Sequence, residues 1–220
     1  MTVAEPTLEV ERSLHDAGAR YVIGLDEVGR GAIAGPVAVG LAVVERGVGD
    51  HPAGLRDSKL LSEPRREALA PLASNWALHS AVGLASATEV DELGIMAALS
   101  LAARRAVEQV ALEILAQSVL LLDGNHDYVR GGHRVVTRVK GDRDCSSVAA
   151  ASVIAKVHRD RIMIDAHEGE PGYGWAKNKG YASAAHYAAI RSLGPSALHR
   201  RTWLHQLEQP TLDLGDAAYE

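Results

Sequence analysis

Phenylalanine is absent from the 220 residues, and aromatic residues of any kind make up 4% of them. A core has to be filled by Leu, Val, Ile and Ala, so its packing is aliphatic. There is a single cysteine, Cys145, which excludes an internal disulfide, and no Cys/His cluster has the spacing of a zinc site. Both absences fit a reducing compartment, and a cytoplasmic location is expected. No apolar run approaches the roughly 20 residues that cross a bilayer. The acidic start MTVAEPTLEVER lacks the basic-then-apolar order of an export signal. Neither export nor membrane insertion is indicated. Lys and Arg are missing from the final segment, where Glu208, Asp213, Asp216 and Glu220 carry most of the net charge of −5. The remaining body is close to neutral. Within it, Lys140, Arg143, Lys156, Arg159, Arg161, Lys177, Lys179, Arg200 and Arg201 fall in one third of the chain. A local basic surface of this kind can hold phosphates despite the overall sign, although any one of these residues can equally solvate a helix face.

The length supports one substantial core. We expect a lead-in at 1–18, one catalytic domain at 19–206 that includes C-terminal helices, and an acidic, mobile tail at 207–220. Apolar runs at Tyr21–Leu25 and Val37–Val44 read as strands, and Trp76–Leu84 places Trp76, Leu78, Val82 and Leu84 on one alternating face. Ser62-Glu63-Pro64 opens a short helix through Arg65, Glu67 and Leu69. Thr88-Glu89-Val90-Asp91 resembles a capping box, and the Ala/Leu-rich stretch from there to about Gln117 is expected to be the longest helix. Val119–Leu122 is a central strand ending in Asp123-Gly124, and Arg134–Lys140 a β-branched strand ending in Gly141-Asp142. Ser146–Met163 has helical spacing with its cations in the second half, as the macrodipole favours. Beyond it come a Gly/Lys-rich loop at Gly172–Tyr181 and helices at Ser183–Ser192 and Pro195–Gln206.

Chemistry concentrates at strand ends. YVIGLDEVGRGAIAGP (Tyr21–Pro36) sets Asp26 and Glu27 at the end of an apolar run and follows them with Gly29-Arg30-Gly31. In an α/β sheet, residues beyond the carboxyl ends of central strands converge on one crevice, which would gather Asp26, Glu27, Asp123 and Asp142. Four such carboxylates repel, and two divalent ions would bring their charge near zero. Oxygen ligands favour Mg²⁺ or Mn²⁺, with two ions clamping the attacking and leaving oxygens of a phosphodiester. Neighbouring strand residues point to opposite faces, so a break in the strand near Gly29 and Gly31 is expected to let both Asp26 and Glu27 reach a metal.

GLDEVGRGAIAGPV (Gly24–Val37), LRDSKLLS (Leu55–Ser62), LLLDG (Leu120–Gly124), VKGD (Val139–Asp142), AAASVIAKVHRDR (Ala149–Arg161), NKGYASAAH (Asn178–His186) and GPSALHRRTW (Gly194–Trp203) occur in that order. Together they resemble the bacterial ribonuclease HII family, the type 2 ribonucleases H, over about Tyr21 to Trp203. Ala32-Ile33 and Trp203 depart from the family's usual Pro-Leu and Phe, and both keep apolar character. The resemblance implies an α/β ribonuclease H-like fold, a mixed five-stranded sheet flanked by helices with a small C-terminal helical extension.

It also implies that Asp26, Glu27, Asp123 and Asp142 bind two Mn²⁺ or Mg²⁺ ions. The Gly29-Arg30-Gly31 backbone and the Tyr181 hydroxyl are implied to read a ribonucleotide 2′-OH, the group that separates RNA from DNA. Ser58, Lys59, Lys156, Lys177 and Lys179 are candidate phosphate contacts beside the matched blocks. Asp160 is expected to form a structural ion pair or a helix contact, Cys145 to be a small buried side chain, and His186 to lie in the core or at a helix end. Asn125–Gly132 (NHDYVRGG) has no assigned role.

The expected activity is endonucleolytic hydrolysis of the RNA strand of RNA–DNA hybrids and nicking 5′ of single ribonucleotides in duplex DNA, leaving 3′-hydroxyl and 5′-phosphate ends. Its partners are those two nucleic acids; no membrane is expected, the chain is expected to act as a monomer, and a replication or transcription partner stays unnamed. The related ribonuclease HIII carries an extra N-terminal domain, for which about twenty residues before Tyr21 leave no room. A catalytically idle nucleic-acid-binding module of the same fold would bind without metal and cut nothing.

Overall fold

The computed structural model describes residues 5–204. In chain order the elements are α1 (Glu9–Asp16), β1 (Tyr21–Val28), β2 (Val37–Glu45), α2 (Glu63–Trp76), β3 (His79–Ala85), α3 (Ala87–Leu93), α4 (Ile95–Val107), α5 (Leu112–Leu115), β4 (Ser118–Asp123), β5 (Val135–Arg138), α6 (Gly141–Asp144), α7 (Ser146–Gly169), α8 (Trp175–Asn178) and α9 (Ala184–Leu193). The strands form one sheet in the order β3-β2-β1-β4-β5. β1 pairs antiparallel with β2, and β2 with β3, whereas β4 runs parallel to both β1 and β5.

Alternation along β1 divides the core. Tyr21, Ile23 and Leu25 join the cluster under α4, while Val22 packs with Leu121 and Val148 of α7. Without Phe, both helices come down onto the sheet backbone. A Cβ on Gly83 would sit 2.0 Å from the Ala102 carbonyl oxygen of α4, and one on Gly24 would sit 2.4 Å from the Ser147 carbonyl carbon of α7. Small residues on facing surfaces permit that approach, and Ala98, Ala102, Ala103 and Ala106 fill the α4 side.

Several expectations change. α2 continues to Trp76, so Trp76 belongs to a helix, and the buried face of β3 is Ala81, Gly83 and Ala85 instead of Val82 and Leu84. The face against α4 carries the smaller residues because a helix backbone lies on it. The stretch from Thr88 to Gln117 is three helices. Gly94, at φ +76°, ends α3 and starts α4, and the capping box belongs to Ser86, whose hydroxyl accepts the Glu89 N–H while Glu89 accepts the Ser86 N–H. The longest helix among the described residues is α7, with 24 residues. Pro195–Leu204 is not a helix: Ala34 bridges His199, Gly35 donates to the Leu198 carbonyl, and only Arg201–Trp203 makes a 3₁₀ turn. The expected tail at 207–220 lies outside the described residues.

α7 starts without a side-chain cap from Cys145. Its first turn is closed from α1 instead: buried Glu11 accepts the Ser147 N–H at 2.8 Å and the Ser147 hydroxyl at 2.7 Å, and the Thr7 carbonyl accepts the Ser146 N–H. No helix among the described residues is long and apolar enough to cross a membrane.

Candidate active site

Parallel pairing of β1 with β4 runs through Leu25 and Leu122, so Asp26 and Asp123 follow in register at the carboxyl ends of adjacent strands, both on the α7 side. Glu27 points the other way, into a cleft shared with Arg30, Met96, Asp123 and Tyr128. The strand does not break between Asp26 and Glu27; it ends at Gly29, beyond both acids. β1 stays paired with β2 through Val28, and Glu27 reaches the Asp123 charge because β4 ends at that residue. Lys140, at φ +64°, turns the chain after β5, and Asp142 follows in α6. The Gly141 N–H donates to Asp123 Oδ1 at 2.7 Å.

These acids act on one another. Burial pushes the Asp26 carboxyl well above its usual range and the charges of Glu27 and Asp123 add to it; the nearby Ser152 hydroxyl opposes this, but its proton goes to Ser58 and closes no hydrogen bond to Asp26 Oδ2. Burial and then Asp123 raise Glu27, whose carboxylate lies 3.6 Å from Arg30. Burial and then Asp142 raise Asp123. Asp57, which the sequence reading left out although it stands in LRDSKLLS, is raised by burial and by Asp142 and so joins the group. Lys59 provides the countercharge. Its ammonium lies 3.2 Å from Asp142 and 3.9 Å from Asp57, and Asp26, Asp57 and Asp142 together outweigh the effect of burial and raise its pKa.

Asp26 is 1% exposed; Oδ1 accepts the Glu27 N–H at 2.9 Å, and Oδ2 has no partner among the described residues. A buried carboxylate oxygen without a donor, surrounded by other carboxylates, fits an oxygen-coordinated divalent cation. As the side chains stand, no three His, Cys, Asp or Glu donors among the described residues converge on one ion point. The group is a concentration of negative charge around Lys59, not a closed coordination shell.

The second part of the site adjoins it along α7, where Ser152, Lys156 and Arg159 share one stripe. The Tyr181 ring lies 5.2 Å from Lys156 Nζ and 5.3 Å from Arg159 Cζ. Gly29, at φ +80°, ends β1, Arg30 is exposed, and a Cβ on Gly31 would meet nothing within 4 Å, so this turn is open to a ligand. The Gly180 carbonyl accepts the Ile33 and Ala34 N–H groups, tying the Tyr181 loop to the segment that follows the turn.

Two arginines hold this assembly, and charge pattern alone had placed both on a basic surface. Each is fully buried. Arg159 donates to the carbonyls of Ala34 (2.8 Å), Pro36 (3.3 Å) and Lys179. Arg200 donates to those of Gly29 (2.8 Å), Arg30 (3.0 Å) and Gly35 (3.1 Å), and burial lowers its pKa to about 10. Nothing in residue type distinguishes a surface arginine from one that ties up carbonyls; only the glycine turns close by hint at the difference.

The remaining candidates divide. Lys177 is exposed beside a cleft of about 510 Å³ shared with Tyr181. Lys156 pairs with Asp160 at 2.8 Å, the structural ion pair expected of that acid. The Ser58 hydroxyl is buried and accepts from Ser152 at 2.9 Å. Lys179 is 6% exposed and donates to Glu63 and to the Ala176 carbonyl. Cys145 is buried, and burial pushes its thiol up to about 12. From the unassigned Asn125–Gly132 loop, Tyr128 lies buried near Glu27, its hydroxyl without a partner among the described residues.

A mixed sheet in this strand order, with carboxylates gathered where its parallel strands end, defines the ribonuclease H-like class of α/β nucleases. Residues 23–206 match the family model for ribonuclease HII, and the chain belongs to that family of endoribonucleases. A ribonuclease HII from Streptomyces griseus is 48% identical over 93% of this chain and 86% of its own length. Among solved structures, the PCNA:RNase HII complex from Archaeoglobus fulgidus matches with a TM-score of 0.64 and 28% identity, covering 87% of this chain and 98% of that one. Bst-RNase HIII, solved in complex with Mn²⁺, matches with a TM-score of 0.62 and 24% identity, covering 82% and 65%.

Proposed function

We propose that this chain is a metal-dependent endonuclease that hydrolyses the RNA strand of RNA–DNA hybrids and nicks duplex DNA on the 5′ side of an embedded ribonucleotide. The observation that carries the proposal is the buried Asp26 carboxylate with an unpartnered oxygen, crowded by Glu27 and Asp123, with Asp142 in turn crowding Asp123. Those four side chains would hold two Mg²⁺ or Mn²⁺ ions, which when bound supply activation of the attacking water and stabilisation of the departing 3′ oxygen, leaving 3′-hydroxyl and 5′-phosphate ends.

Substrate recognition falls to the neighbouring turn. The Gly29-Arg30-Gly31 backbone and the Tyr181 hydroxyl contact the 2′-OH, a group that both donates and accepts. Lys177 is free to meet a phosphate. Lys59 and Lys156 would do so by exchanging Asp142 and Asp160 for the substrate, and Ser58 and Lys179 by turning out of buried contacts. The enzyme works as a cytoplasmic monomer, and the archaeal relative solved with PCNA supports a replication partner for this chain as well.

The test is a duplex DNA containing one ribonucleotide, incubated with Mg²⁺ or Mn²⁺ and then with excess chelator. A single nick that disappears with chelator is expected; intact duplex with both metals would overturn the proposal. Tyr181→Phe should lower kcat/KM at the single ribonucleotide by roughly 10- to 100-fold while duplex affinity changes little, the loss of one 2′-OH contact.

A further inference from the structure

Behind Tyr181 lies a pair of buried histidines that the nuclease chemistry leaves unused. His186 and His199 are 0% and 2% exposed, and their Nε2 atoms are 3.1 Å apart. Their partners dictate where the protons sit. His199 Nδ1 receives the Ser196 N–H at 2.9 Å, so His199 carries its proton on Nε2 and aims it at His186. Trp175 Nε1–H also donates to His186 Nε2, at 3.1 Å. That atom is therefore an acceptor, and the His186 proton resides on Nδ1, 2.9 Å from the Tyr181 carbonyl oxygen. Both rings must be neutral, because a proton added to either accepting nitrogen would face another donor. Burial lowers the pKa of both, that of His199 to about 4. Tyr173 closes the cluster, with its ring 5.0 Å from Trp175 and 4.8 Å from His199.

The backbone at Tyr181 needs such an anchor. Lys179 and Gly180 are both left-handed, at φ +50° and +80°, which reverses the chain just before the tyrosine. The contacts that hold this reversal come before Tyr181 or at its own N–H: Arg159 on the Lys179 carbonyl, Asn178 Oδ1 on the Gly180 N–H, Ile33 and Ala34 on the Gly180 carbonyl, and the Asn178 carbonyl on the Tyr181 N–H. On the far side, the hydrogen bond to the Tyr181 carbonyl among the described residues comes from His186.

We propose that His199 and His186 form a positioning relay, from the Ser196 amide through both rings to the Tyr181 carbonyl, that fixes the tyrosine hydroxyl where a ribose 2′-OH is read. The relay rests on the assignment of Tyr181 as that reader. Neither histidine touches substrate; both act through the tyrosine.

Two measurements test it, one without turnover. In ¹⁵N-histidine NMR at neutral pH, His186 should be the Nδ1–H tautomer and His199 the Nε2–H tautomer. The reverse tautomer at either ring, or a charged ring, would overturn the relay even if the enzyme cuts normally. The second is a double-mutant cycle on single-ribonucleotide nicking. His186→Leu should lower kcat/KM at least about tenfold, since small misplacements of a recognition group are costly. His186→Asn, whose side-chain amide can replace the Nδ1–H donor, should restore most of it. In a Tyr181→Phe background, His186→Leu should cost less than about twofold more, because the group it positions is gone. Equal losses in both backgrounds would reduce the pair to ordinary packing. Should His186→Leu fail to fold, His199→Phe, which keeps the ring against Tyr173 and removes the Nε2–H, passes through the same cycle. If the unsubstituted enzyme does not nick, the catalytic proposal fails, and the NMR result still decides the relay.

Discussion

Replacing Asp123→Asn probes the crowding of acids directly. Asp123 Oδ1 accepts the Gly141 N–H at 2.7 Å, and an Asn carbonyl oxygen can keep that bond. What changes is charge. The carboxylate is raised by burial and by Asp142, and it adds in turn to the raised values of Asp26 and Glu27. Like charges in contact cost a few kcal/mol at an effective dielectric near 20, and solvent at this half-buried position together with the lost attraction to Lys59 leaves a net relief of about 1 kcal/mol. For a chain of this size that raises Tm by roughly 2–4 °C. Calorimetry in chelator should show the increase, and nicking should be lost. Added Mn²⁺ should stabilise the unsubstituted protein and the variant less, because one of the holding oxygens is neutral. A variant that melts lower than the parent in chelator, or an identical Mn²⁺ response in both, would refute the reasoning.

Arg200→Met should cost about 3 kcal/mol in urea denaturation, since the carbonyls of Gly29, Arg30 and Gly35 lose a shared donor, and Arg200→Lys should recover little because one ammonium cannot reproduce the fork; a loss below about 1 kcal/mol would contradict this. Gly83→Ala should destabilise by about 2 kcal/mol or more by pushing α4 off the sheet, whereas Gly47→Ala, with open space around it, should be near neutral; similar values for both would remove the close-approach argument. His199 is depressed from 6.5 to about 4, chiefly by burial and then by His186. Between those pH values the unfolded chain binds a proton that the folded chain refuses, so this group's contribution, up to roughly 3 kcal/mol, is complete above about 6.5 and lost as pH falls towards 4. The stability of His199→Phe should therefore depend less on pH in that window, and an unchanged slope would count against a neutral buried ring.

Strand positions were the most readable part of the sequence. Tyr21–Leu25, Val37–Val44 and Val119–Leu122 are apolar runs with turn residues behind them, and β1, β2 and β4 lie there. The acids that end those strands come together for the same reason, since parallel β1 and β4 finish side by side. Other features depend on neighbours that one stretch of sequence does not display. Hydrophobic alternation selected Val82 and Leu84 as the inner face of β3, but contact with a helix backbone selects small residues, and Ala81, Gly83 and Ala85 turn inward. An Ala-rich run looks continuous until Gly94 takes a left-handed conformation that divides it. A break early enough to free both Asp26 and Glu27 ignores β2, whose ladder keeps β1 regular through Val28, so the chain turns only at Gly29. Arg159 and Arg200 carry the same charge as surface arginines, and only the carbonyls that converge on them reveal their work.

The bond between Glu11 and Ser147 spans 136 positions of chain. During synthesis α1 leaves the ribosome long before the helix whose open end it closes has been made, so its buried carboxylate must wait in water until most of the molecule exists. α1, made well before its partner, is thus among the last segments to dock, and a chain not yet extended to Ser147 would carry α1 without the helix end it closes.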